Sequence, residues 1–347
     1  MVESNLLLLR GADIIRLFED RERDIVETVR AAYTVKESGA CSLPNCEYLR
    51  FPNNPADRII PKPAYLGGNF QAAGIKWIAS FPGNLSTGME RASATLILNS
   101  IETGLAEAIM ESSVINSYRT AASAALAAGI LHAGKPAVTA GIMGCGAINF
   151  EILRFLLCER PDIENILICD ADPFRAEQFR VNCASFCGGR SLTITGEGAD
   201  LFRRADIVSI ATNASTPHLD GFEGRADDLT VLHVSLRDFA PEAILAADNV
   251  VDDIEHVCTN NTSLDLAARI GGNREFIRAT LGSILLGKDQ ARAGGKPVVF
   301  SPFGLGILDI ALACLARTLA REQRVGIQVE DFLPVPWTQR AYGEMKQ

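Results

Sequence analysis

One apolar run, Ala137-Val-Thr-Ala-Gly-Ile-Met143, breaks into Gly144-Cys-Gly146-Ala147-Ile148-Asn149. A second, Asn165-Ile-Leu-Ile-Cys169, ends in Asp170. Read as strand, glycine turn, helix over 149–158, strand and acid, this order predicts a unit of a parallel sheet with a crossover helix. Gly144 permits the tight turn, and Gly146 lets the backbone approach a pyrophosphate seated on the helix N-terminus. Asp170 follows the turn by roughly 20 residues, where a carboxylate accepts hydrogen bonds from a ribose 2′-hydroxyl and repels a 2′-phosphate. Asn149 departs from the pattern, standing where its third small residue would be. A plain strand-to-helix turn would also read this way, but all the features together favour NAD. The cofactor-binding candidates are therefore Gly144, Gly146, Ala147, Ile148, Asn149 and Asp170.

The rest of the chain extends this unit in both directions. After Gly134-Lys-Pro, strands and helices alternate, with strands at 138–143, 166–170, 192–195, 207–211, 231–235, 250–251 and 297–300. Such alternation predicts an α/β fold with a Rossmann-type, doubly wound parallel sheet over residues 134–303. Before it lies a strand-rich unit over 1–133. It holds a strand at Leu6–Leu9, one helix spanning Ile14 to Val29, extended segments and loops from Ser42 to Gly68 that carry the cations Arg50, Arg58 and Lys62, and strands near Lys76, Arg91 and Leu105. An alanine-rich helix from Val114 closes that unit. The long apolar helix beginning at Gly304 is expected to return to it, which makes 1–133 and 304–347 one domain. The tail from Gln328, with Pro334, Pro336 and Trp337, reads as an extended arm.

At 347 residues the chain can bury two cores. A formal charge of -9 without a Lys- or Arg-rich run argues against a nucleic-acid partner, though not against a small anion held by local cations. The start lacks a signal-peptide pattern and no apolar run is long enough to span a membrane, so a cytoplasmic location is expected. The nine cysteines are scattered and read as free thiols. Cys183 and Cys187 share a helical spacing without a third ligand, so no metal site is expected.

Isolated polar residues in apolar surroundings carry the remaining signal. Lys76, inside Gly-Ile-Lys-Trp-Ile, is either a snorkelling edge-strand lysine or a ligand for a substrate anion. Arg91 opens a strand, and Arg119 on the alanine-rich helix must find an anion or face water. Asp238 follows a parallel strand at its carboxyl end, either capping the helix near Pro241 or meeting a ligand there. Thr212 and Asn213 occupy the same edge one strand away, with Ser235 beside Asp238, as further cofactor-binding candidates.

These stretches resemble the ornithine cyclodeaminase and mu-crystallin family over nearly the whole chain. The matching text is Lys76-Trp-Ile-Ala-Ser-Phe-Pro-Gly-Asn84, Ser117-Tyr-Arg119-Thr-Ala-Ala, the Gly144 turn, Asp238, and Ser301-Pro-Phe-Gly-Leu-Gly-Ile-Leu-Asp309. Arg91-Ala-Ser-Ala, His233-Val-Ser-Leu-Arg-Asp-Phe-Ala-Pro-Glu and Val251-Asp-Asp-Ile-Glu-His256 look most like the branch that forms 2,3-diaminopropionate for siderophores or peptide natural products. The resemblance implies a homodimer whose terminal segments build a substrate-binding and dimerisation domain. It also implies that Lys76 and Arg119 grip a substrate carboxylate, while Asp238 handles proton transfer and water; Arg91, with Arg50 or Arg58, supplies cations for the further carboxylates of such a substrate. The reaction implied is NAD-dependent oxidative cleavage of N-(2-amino-2-carboxyethyl)-L-glutamate to 2-oxoglutarate and 2,3-diaminopropionate. Ornithine cyclodeamination, ketimine reduction and non-catalytic crystallin-like ligand binding are the alternatives. Ornithine cyclodeaminases carry Thr at the position of Arg91 and follow the Asp with Pro-Gly-Lys instead of Phe239-Ala-Pro-Glu, which points to a more anionic substrate here.

Overall fold

The computed structural model describes residues 5–45, 47–223, 228–334 and 338. Two eight-stranded sheets organise the chain. The second is parallel throughout, in the order Ser191–Ile194, Asn165–Cys169, Thr139–Met143, Ile207–Ile210, Thr230–His233, Val298–Ser301, Asp248–Val251, Ile277–Thr280. Strand order reverses on either side of Thr139–Met143, so a crevice opens where the glycine turn leaves that strand. The strand Ile277–Thr280 was not anticipated, because Arg278 interrupts a run too short to show a period.

The first sheet is mixed. Its order is Ile327–Val329, Leu6–Leu9, Ala106–Glu111, Ala92–Asn99, Ala72–Ser80, Asn54–Leu66, with Cys41–Ser42 and Leu49–Phe51 both on the outer side of Asn54–Leu66. That long strand joins much of the extended and loop text expected between Ser42 and Gly68 into one element. Its residues 60–64 have no strand partner on the outer side, which is where Pro61 and Pro63 are tolerated. The start of the expected arm is an edge strand instead, since Ile327–Val329 pairs antiparallel with Leu6–Leu8 of the same chain. Pro336 and Trp337 lie outside the described residues. The single helix expected over Ile14–Val29 is two, Gly11–Leu17 and Glu22–Glu37, separated by Asp20 at φ 57.

The alanine-rich helix Ser113–Leu131 lies at the centre, with Ala121, Ala122, Ala124, Ala125, Ala127 and Ala128 all fully buried. Small side chains let it sit close to helix Ala147–Glu159 on one side and Glu22–Glu37 on the other. The C-terminal helix Gly306–Gln323 packs on the first sheet. Gly306 lies against Lys62, and a Cβ added at Gly74 would approach Ile310 to 2.9 Å. No helix among the described residues is long and apolar enough to cross a membrane.

Candidate active site

The glycine turn has a geometry that needs glycine. Gly144 sits at φ +90, and a Cβ there would fall 2.4 Å from the carbonyl oxygen of Ala211. Gly146 is the N-cap of Ala147–Glu159, and its Cβ position faces open space, with only the tip of Arg175 as near as 4.0 Å. The helix N-terminus is thus open to a phosphate. Asp170 accepts from Cys145 N–H (2.6 Å) and Asp172 N–H (2.9 Å), which sets its carboxylate beside the turn. Asn149 is fully buried. Its amide donates to the carbonyls of Met143 and Gly144 (both 2.7 Å) and accepts from Ser209 Oγ (2.7 Å). Its side chain supports the turn from behind, so the departure at this position does not obstruct the pyrophosphate side.

Two further candidates converge on Asp238. Thr212 Oγ1 donates to Asp238 Oδ1, and Ser235 Oγ to Oδ2 (2.5 Å). The rings of His218 and His233 each place Nε2 3.2 Å from one of its oxygens. Asn213 is exposed beside them. Asp238 itself is fully buried; burial alone would raise its pKa, but hydrogen bonds from His233, Ser235 and Thr212 outweigh that and hold it below the carboxylate range. The following helix, Pro241–Ala246, has Ala240 as N-cap, so Asp238 is not a helix cap. Its charge is spoken for by hydroxyl and imidazole donors, and His218, whose side chain is 44% exposed, connects it to the surface.

The cations lie on the first sheet and the helix that crosses it. Lys76 is 1% exposed on an interior strand, which rules out a snorkelling edge lysine. Its Nζ donates to Asp309 Oδ2 (2.7 Å) and Asn116 Oδ1 (2.8 Å). Arg119 Nη2 donates to the same Asn116 oxygen (2.6 Å), while its Nε stands 3.3 Å from Asp309 Oδ1, near enough for charge attraction but misaligned for a hydrogen bond. The anion that Arg119 required is therefore partly supplied by the chain itself. Lys62, paired across the strands with Lys76, donates to Gly304 O (2.5 Å) and lies over the Phe303 ring. Gly304 lies against Arg119, where a Cβ would stand 2.6 Å from Nη1 and move the guanidinium, and its φ of +85 favours glycine. The N–H groups of Phe303 and Gly304 are held by Asp252 (2.8 and 2.7 Å). Burial lowers Lys76 to about 7, with Arg119 and Lys62 adding repulsion and Asp309 opposing; burial likewise lowers Lys62 to about 8.

Arg91 is half-buried and donates to Ser80 Oγ (3.0 Å), whereas Arg50 is exposed and stacks on Tyr48. A cavity of about 270 Å³ opens between the first sheet and the carboxyl edge of the parallel sheet, lined by Tyr48, Ile60, Lys62, His256, Asn260, Phe303 and Gly304 among others. Asp309, Asn116 and Asp252 were not singled out from sequence, and Lys62 stood out only as one cation of the Ser42–Gly68 stretch. Of the first three, Asp309 alone left a signal, as the one acid inside the apolar run Gly306–Ala313.

The profile of the ornithine cyclodeaminase/mu-crystallin family matches residues 17–221. The N-((2S)-2-amino-2-carboxyethyl)-L-glutamate dehydrogenase of Staphylococcus aureus is 30% identical over 335 residues, covering 92% of this chain and 97% of that protein. Among solved structures, the Thermococcus litoralis Delta(1)-pyrroline-2-carboxylate reductase in complex with NADH and L-proline superposes with a TM-score of 0.86 at 25% identity, covering 93% of this chain and all of that one. An archaeal alanine dehydrogenase dimer with bound NAD gives 0.84 at 25% identity, covering 94% of this chain and 100% of that one. Glycine turn, terminal acid and buried lysine–arginine–aspartate cluster thus stand in a chain that belongs to the ornithine cyclodeaminase/mu-crystallin family.

Proposed function

We propose that the protein is an NAD-dependent oxidoreductase acting on the CH–NH group of a secondary amine that joins glutamate to 2,3-diaminopropionate. The observation that carries the substrate class is the cation cluster. Lys76 and Arg119 share Asp309, Lys62 stands opposite Lys76 on the cavity wall, and Asp252, whose pKa is raised by burial, is occupied by backbone amides. Buried positive charge in excess of its partners is relieved by an anionic ligand, and a substrate carboxylate is the group that fits. NAD, which the Gly144–Gly146 turn and Asp170 would hold, would supply the hydride acceptor; loss of hydride from the amine-bearing carbon of the glutamate unit leaves a protonated imine. Lys76 and Arg119 hold the neighbouring carboxylate and so fix which face of that carbon is presented. Asp238, acting through the Thr212 hydroxyl and the His218 ring, takes a proton from the water that adds to the imine. Collapse of the resulting carbinolamine, with proton return to nitrogen, releases 2-oxoglutarate and 2,3-diaminopropionate. The 30% identical relative from Staphylococcus aureus supports this choice.

A second reading, reduction of a cyclic or open ketimine amino acid or cyclodeamination of ornithine, uses the same carboxylate grip with a smaller substrate. The likeness to the pyrroline-2-carboxylate reductase favours it. The test offers the glutamate–diaminopropionate conjugate, ornithine, proline and alanine to the purified protein with NAD, following NADH and 2-oxoglutarate. Formation of proline and ammonia from ornithine at a rate comparable to conjugate cleavage would overturn the first reading. We also assign the working form as a homodimer, supported by an apolar outer sheet face that carries Trp77 at 43% exposure.

A further inference from the structure

Outside the Lys76–Arg119–Asp309 cluster, the same face of the first sheet carries a second concentration of positive charge. Strand register places Arg50 opposite Arg58, and Arg58 opposite Ser80. The Arg91 guanidinium bonds Ser80 Oγ at 3.0 Å. Along the two strands the rows run Arg58–Ser80, Ile60–Ile78, Lys62–Lys76, all on one face because side chains alternate. The outer rows are four residues apart, about 13 Å at the backbone, with an apolar step between them. Across the cleft, the nucleotide-binding half contributes Arg237, half-buried next to Asp238, whose Nη2 donates to Asn260 O (2.9 Å) on the cavity wall.

None of Arg58, Arg91 and Arg237 forms an ion pair with an acidic residue among the described residues, and the buried Nε of Arg58 has no hydrogen-bond acceptor there. Guanidinium groups from three segments repel one another, and the Asp238 charge felt at Arg237 offsets that only in part, so an entering anion is favoured. The charges are felt together: burial, and after it the charge of Arg58, depress the pKa of Arg91, while at Arg237 burial lowers the pKa, Tyr48 and Asp238 oppose it, and Arg58 adds to the lowering. We propose that Arg58, Arg91 and Arg237 form a second anion subsite, at the far end of the cleft from Lys76 and Arg119, that takes the side-chain carboxylate of a glutamate-derived substrate. This rests on the reading that the substrate is an amino acid with several carboxylates, and assigns which residues meet which group. The α-carboxylate lies at the lysine end, the carbon chain crosses Ile60 and Ile78, and the distal carboxylate ties Arg237 of one half to the sheet of the other.

The test compares two ligands that differ only at the distal end. 2-Oxoglutarate and 2-oxopentanoate are titrated calorimetrically into the full-length protein saturated with NADH. The wild-type protein is expected to prefer 2-oxoglutarate by about 10–100-fold, the worth of a charge-assisted pair. Arg237→Gln and Arg58→Gln should each reduce that preference by about tenfold while leaving 2-oxopentanoate affinity within twofold, and Arg237→Lys should keep part of it. Thermal melts identify a variant that fails to fold, in which case Arg58→Lys and Arg237→Lys decide by the same ratio. Equal affinity for the two ligands in the wild-type protein, or full preference in both Gln variants, overturns the subsite. Preference for 2-oxoglutarate in a protein that does not oxidise the conjugate would leave the subsite standing and remove the proposed reaction.

Discussion

Asp309 is the residue on which the cation cluster turns, since among the described residues it alone supplies carboxylate to both Lys76 and Arg119. The depressed Lys76 gives a pH dependence with a definite sign. Free protein loses this proton near pH 7, whereas a bound carboxylate favours the ammonium and raises its pKa. Binding then takes up a proton, so affinity for 2-oxoglutarate should fall by up to about tenfold per pH unit above about 7. Calorimetry across that range checks it, and Lys76→Met should flatten the profile. Asp238→Asn should lower turnover by about 10²–10⁴-fold with melting temperature and NAD affinity near normal, because the residue touches no helix cap. Near-normal turnover in that variant would remove Asp238 from proton transfer. Lys76, Arg119 and Asp238 were visible in the sequence as polar residues in apolar strings. Asp309 as their partner was not, because it lies 233 residues beyond Lys76 and only folding brings them together.

Among the elements, the strand–turn–helix from Thr139 to Glu159 was the most legible, because glycine positions and an apolar period are local properties of the chain. Its turn is also the most exacting. Gly144→Ala would drive a Cβ into the Ala211 carbonyl, and is expected to cost about 1–3 kcal/mol in denaturant melts and to weaken NAD binding more than tenfold. Asp170→Ser should lose about tenfold in NAD affinity and narrow the gap to NADP, measured by fluorescence titration with each nucleotide. Equal affinity for the two nucleotides in the wild-type protein would contradict that role. The element least legible was Asn54–Leu66. Three prolines and several charges disguise a strand whose central residues are paired on one side only, and that open side is what leaves room for the cleft.

At the scale of the molecule, the first sheet has two unlike faces. One carries Arg58, Lys62 and Lys76, with Lys62 on the cavity wall; the other carries Pro61, Pro63, Ile75 and Trp77, an apolar surface of the kind that marks an interface. A second copy of the chain covering it would place the dimer contact directly behind the cation cluster. Trp77→Glu is therefore expected to shift the protein from dimer to monomer in light scattering while leaving NAD affinity unchanged. A monomeric wild-type protein under the same conditions would reject the assignment.

The amino-acid sequence by itself determined the parallel α/β sheet, the dinucleotide turn and the acid beside it, because each rests on residues close together along the chain. It also showed which lysines, arginines and aspartates stand in unusual places. Only the tertiary structure decided what those residues meet. Sheet register sets which side chains share a face, and a slip of one residue would send Lys76 outward and Trp77 into the cleft. The pairing of Lys76 and Arg119 with Asp309 and the burial that depresses Lys76 depend on that register and on the return of the last helix.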